Sequence, residues 1–71
     1  MIPFIVYSIV DGAIVATGGA STMDIANAQA GPGSAVLIVP SIAGVTPETH
    51  RVEGGGDEPA RLVAIAQEPG V

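Results

Sequence analysis

Asp11-Gly12 lies between two short runs of β-branched and apolar residues, Ser8-Ile9-Val10 and Ala13-Ile14-Val15. No other stretch constrains the fold as strongly. A type I′ turn needs positive φ at both central positions, and Asp-Gly between apolar runs meets that need. The preceding run, Ile2–Val10 (IPFIVYSIV), is rich in types that suit a pleated, half-buried surface. The spacing predicts a hairpin of Ile2–Val10 and Ala13–Thr17, with Gly18-Gly19 ending the second strand. Pro3 suits a strand start or an edge, because it cannot donate to a ladder.

Beyond the hairpin the pattern changes. Ser21 or Thr22 can cap free N–H groups, and Asp24 falls in the positive first turn of a helix. Ile25–Ala30 continues that helix for about two turns, until Gly31 and Pro32 stop it. Met23, Ala26 and Ala30, with Ile25 beside them, form its expected buried stripe. Ser34–Val39 (SAVLIV) is apolar at both parities, as in strands buried on both faces. Pro40–Pro47 reads as a loop and Thr49–Glu53 as a short fourth strand. A flexible turn at 54–59 precedes a fifth strand, Arg61–Gln67. A helix over Pro59–Gln67 is the alternative there, with Asp57 as cap and Pro59 in the first turn. The expected class is mostly β (α+β). It is a small antiparallel sheet with an N-terminal β-hairpin and one short helix near residues 22–30, in a single domain spanning 1–71.

A chain of 71 residues is short of core. Domains of this size bury only about 60% of their unfolded surface and usually need a staple. The sequence contains no Cys and a single His, His50, so disulfides, thiolate metal sites and His-pair sites are excluded. Partner chains remain as the staple. Composition points the same way: 48% of residues are hydrophobic and only 13% charged, against roughly 25% charged in average domains. Aromatics are limited to Phe4 and Tyr7. With one short helix to cover a two-faced sheet, the other face is expected to meet another chain, most simply in a homo-oligomer. Candidate interface residues are Phe4, Ile5, Tyr7, Val36, Leu37, Ile38, Leu62, Val63 and Ile65. On this reading Ile5→Asp or Leu37→Asp breaks assembly.

Net charge is −5, with Arg51 and Arg61 the only fixed cations. Nucleic acids are bound by clustered Lys and Arg, so they are not expected partners. The same deficit argues against anionic membrane surfaces. Met1–Val10 and Ala35–Val45 fall short of the roughly 20 apolar residues of a membrane helix, so no membrane insertion is expected. The N-terminus lacks a positive n-region, which does not support a signal peptide.

No chemistry-bearing constellation emerges. His50 is the one candidate general base, and Ser21, Ser34 and Ser41 are the formal nucleophiles. None lies in a Gly-x-Ser-x-Gly setting. Gly31-Pro32-Gly33 and Gly54-Gly55-Gly56 lack the following Lys-Ser/Thr of a phosphate loop, and read as turns. Calcium needs six or more oxygen ligands, usually at ordered loop spacing; Glu53, Asp57 and Glu58 lack the EF-hand pattern and read as a solvated acidic turn. Arg51 and Arg61 are placed to pair with Glu48, Glu53 or Glu58, within the chain or across an interface. No enzyme activity, cofactor, metal or small-molecule substrate is expected.

The order of elements resembles a group of small bacteriophage tail and tail-fibre-associated structural proteins. The resemblance rests on the opening apolar strand, on Asp11-Gly12-Ala13-Ile14 with Gly18, and on Gln29-Ala30 with Gly33 ahead of Val36. It also rests on Pro47-Glu48-Thr49-His50-Arg51-Val52-Glu53-Gly54-Gly55, which is similar to a Thr-His-Tyr-Val-Asp-Gly stretch common in that group. It covers roughly residues 1–56; the tail beyond is more apolar and lacks Lys. The resemblance implies a non-enzymatic virion component of the tail, baseplate or a fibre, contacting other virion proteins. Its location would be the phage particle, assembled in the host bacterial cytoplasm. A capsid decoration protein, or a small binding module that adds a strand to a partner's sheet, is the alternative.

Overall fold

The computed structural model describes residues 1–55 and 57–65. The chain is mostly β. Its elements are β1 (Ile2–Ser8), β2 (Ile14–Ala20), α1 (Met23–Asn27), β3 (Ser34–Ile38), β4 (His50–Glu53) and β5 (Arg61–Ala64). The first three strands form an antiparallel sheet in the order β2-β1-β3, and β4 and β5 form a separate antiparallel pair.

β1 is central, paired on both sides, and Pro3 sits at its beginning rather than on an edge. The side of Pro3 that lacks an N–H lies at the end of the β1–β3 ladder. There its carbonyl still accepts from Val39 N–H at 3.2 Å.

The N-terminal hairpin forms as expected, but its turn is wider than Asp11-Gly12 alone. Ser8 N–H donates to Ala13 O at 2.9 Å and Gly12 N–H to Ser8 O at 2.9 Å, so four residues, 9–12, form the loop. Gly12 has φ +77°, whereas among the described residues no non-glycine has positive φ. Asp11 therefore does not take the first left-handed position of a type I′ turn. Its carboxylate instead accepts Ala13 N–H at 3.0 Å, a local closure typical of Asx turns. The register shift between Val6 and Tyr7, opposite Val15, marks a β-bulge beside this loop.

β2 runs on to Ala20, through Gly18-Gly19, instead of stopping at Thr17. Gly18 stands opposite Phe4, and a Cβ there would lie 3.0 Å from the tip of the Phe4 ring. The ring supplies the packing that glycine lacks, so the strand survives the glycines.

α1 is shorter than expected. Thr22 caps it, its Oγ1 accepting Ile25 N–H at 3.1 Å, and Asp24 lies in the first turn. Bonds of i→i+3 type, Gln29 N–H to Ala26 O and Ala30 N–H to Asn27 O, tighten and end it. Five residues present one position inward: Ala26 is fully buried, while Met23 and Ile25 are about half exposed and Ala30 is half-buried. The predicted apolar stripe is thus reduced to Ala26.

The pleat sends alternate β1 residues to opposite faces. Phe4 and Val6 pack with Ala20, Ala26, Val36 and Ile38 beneath α1. Ile5 and Tyr7 pack on the other side with Ile14, Val39 and Val52, flanked by Leu37, Ile42, Val45 and Leu62. The second face is therefore covered by the chain's own β4–β5 hairpin and the 40–47 loop, not left for another chain as the sequence suggested. Arg61–Ala64 pairs with β4, which overturns the helical alternative there. Residues 66–67 of the expected fifth strand lie outside the described residues.

Candidate interaction surface

The hairpin loop and β4 are held together by backbone. Val52 N–H donates to Gly12 O at 2.9 Å, and Ala13 bridges Arg51. Beside this junction a half-open cleft of about 510 Å³ is lined by Tyr7, Ile9, Val10, Arg51, Glu53 and Gly55, among others. Arg51 and Glu53 pair at 2.9 Å on the same side of β4. Both are well exposed, so solvent screening leaves the pair little net stabilising effect.

The interface residues inferred from sequence fall into three groups. Phe4, Ile5 and Tyr7 are buried in the domain's own core. Their strand is central, so they are not free to meet a partner. Val36, Leu37, Ile38, Leu62 and Val63 are half-buried on β3 and β5. Ile65 is 37% exposed, just beyond β5.

The apolar surface that is actually open lies elsewhere. Val10 is 88% exposed, and Ile9 and Val15 are each 64% exposed, all at the loop end of the β1–β2 hairpin. Sequence reasoning placed Ile9 and Val10 inside the first strand, where parity would have buried one of them. The wider loop puts both in solvent. The signal that could have found them is Ser8, whose Oγ accepts Val10 N–H at 3.3 Å and marks the start of the turn.

His50 is drawn into a threonine turn. Thr46 Oγ1 accepts Thr49 N–H at 3.2 Å, and Thr49 Oγ1 accepts Thr46 N–H at 3.1 Å. This is the reciprocal logic of a capping box. Thr49 Oγ1 also contacts His50 Nδ1 at 2.7 Å. Its distance suits a hydroxyl–imidazole pair, but the hydroxyl closes the turn that launches β4. Ser34 and Ser41 likewise close local turns, with Gly31 and Ala43 N–H respectively. None of these bonds links a serine to His50.

Among the described residues no three of His, Asp and Glu gather to hold a metal ion, and no helix is long and apolar enough to cross a membrane. Compared with known proteins, the chain matches no family model, no curated protein and no solved structure.

Proposed function

We propose that this chain is a non-enzymatic structural component of a bacteriophage particle, in the tail, baseplate or a fibre, that works by protein–protein contact. The observation that carries the contact reading is the group Ile9, Val10 and Val15, large apolar side chains exposed at one end of the β1–β2 hairpin. Leaving them in water is unfavourable, by about 25 cal/mol for each Å² of apolar surface. Exposed apolar patches of this kind mark binding surfaces. The particle itself is supported by the resemblance over roughly residues 1–56. Assembly would take place in the host bacterial cytoplasm, with other virion proteins as partners.

The test is particle purification after infection with phage encoding a tagged chain, with mass spectrometry of banded particles. The tagged chain is expected at stoichiometric level. The paired substitutions Val10→Asp and Val15→Asp should leave the folded domain intact by circular dichroism and remove it from particles. Absence of the wild-type chain from purified particles would end the reading.

A second reading has its own support. β3 is an open sheet edge, as a module that adds a strand to a partner's sheet requires. Recovery of one defined non-virion partner in stoichiometric complex would favour it.

A further inference from the structure

The β1–β3 ladder determines which way the backbone of β3 points. Val39 N–H donates to Pro3 O and Ile9 N–H to Gly33 O at its two ends. Antiparallel ladders alternate between residues that face the partner and residues that face away. Ala35 and Leu37 therefore bond to β1, while Ser34, Val36 and Ile38 direct their N–H and C=O groups outward. Among the described residues, no backbone hydrogen bond engages Val36 or Ile38 on that outer side.

Such an edge is normally guarded by charge, Pro, a bulge or a covering segment. The other edges are guarded. β2 has the bulge opposite Val6/Tyr7, and the residue before it, Ala13, is bridged to Arg51. β5 begins with Arg61, next to the acidic turn at Asp57-Glu58. β3 (SAVLI) has none of these devices.

Charge decides what can approach it. The chain carries −5, yet residues 25–47 contain no charged side chain. Two copies that met through the β4–β5 hairpin would bring Glu53, Asp57 and Glu58 together. Two copies that met along β3 would not, and like charges placed opposite one another across a strand pair are destabilising.

We propose that the outer edge of β3 pairs antiparallel with β3 of a second copy of this chain, about a two-fold axis through Val36. This identifies the partner for one surface and rests on the reading that the chain works by protein contact. In this register Val36 faces Val36 of the second copy and Ser34 faces Ile38. Both outward groups of Val36, the Ile38 N–H and the Ser34 carbonyl then find partners, while Ser34 N–H keeps its bond to Gly31 O at 3.1 Å. The result is a continuous six-stranded sheet, and the half-buried Val36 and Ile38 side chains gain cover from their counterparts. A closed two-fold contact of this kind is self-complementary and stops at the dimer.

The experiment is sedimentation equilibrium of the full chain, with variants. Wild type is expected at twice the monomer mass. Val36→Pro removes an outward N–H and reshapes one half-buried side chain, so it should give a folded monomer of somewhat lower stability. Thr17→Pro, on the β2 edge, should remain dimeric. The chain has no native Cys, so oxidation of Val36→Cys provides a check that does not depend on the proline variant folding. Cα atoms of a hydrogen-bonded pair lie about 5.5 Å apart, within disulfide reach, so a covalent dimer should form with Val36→Cys and not with Thr17→Cys. A monomeric wild type, a folded dimeric Val36→Pro, or cross-linking through Thr17→Cys instead would overturn the proposal. A dimer that never enters particles would sink the virion reading and leave this one standing; a monomer found in particles would do the reverse.

Discussion

Gly12 is the residue least able to change. Its φ of +77° disfavours any L side chain, and a Cβ there would collide with the Val52 carbonyl. The left-handed conformation alone costs roughly 1–2 kcal/mol for a non-glycine residue. The collision adds to it by pushing β4 off the hairpin loop, where Val52 N–H meets Gly12 O. Gly12→Ala is expected to lose about 3 kcal/mol in total, read as a fall in urea midpoint with little change in slope. A midpoint within error of wild type would show that β4 does not depend on this approach. The sequence marks Gly12 as a turn residue. The second reason for glycine there, the backbone of a strand forty positions later, is visible only in the fold.

At the scale of elements, α1 shows how little a short helix can do alone. Isolated helices of this length are not stable in water, and α1 buries only Ala26. Its persistence rests on the Thr22 cap and on the sheet beneath it. Thr22→Ala removes the acceptor for Ile25 N–H and should cost about 1 kcal/mol. In a domain of this size that lowers the melting temperature by roughly 4–8 °C, measurable by calorimetry. Serine at the same position should restore most of it; failure of serine to do so would show that the hydroxyl is not the stabilising group. The cap and the Asp24 first turn were legible in sequence, because capping is a local bond. The stopping point at Asn27 was not, because the i→i+3 bonds that tighten the end compete closely with one more helical turn. Strand ends behave alike: Gly18-Gly19 reads as a terminator until the Phe4 ring is placed over it.

For the whole molecule, the central fact is that one chain covers both faces of its own sheet. Ile5 is fully buried between β1 and the β4–β5 side, against Tyr7, Ile14, Val39 and Val52. Ile5→Ala is expected to cost about 2–5 kcal/mol, a large share of the stability of a small domain. Ile5→Asp should unfold the chain outright, because a buried unpaired charge is more costly still. Both are checked by near-ultraviolet circular dichroism from Tyr7 and by the urea midpoint. A folded Ile5→Asp that merely failed to associate would mean that the face is open after all.

The sequence by itself determined the β-rich class, the N-terminal hairpin, the capped short helix and the positions of all five strands to within a few residues. Each of these follows from local propensity, alternation or turn chemistry. Only the tertiary structure decided which apolar residues are core and which are surface. That choice depends on β4 and β5 folding back under the sheet, through contacts between residues distant in sequence. Those contacts put Ile5 and Tyr7 inside, α1 does the same for Phe4 on the other face, and Ile9, Val10 and the edge of β3 are left to the outside. Apolarity is a property of a side chain, whereas burial is a property of what lies across from it.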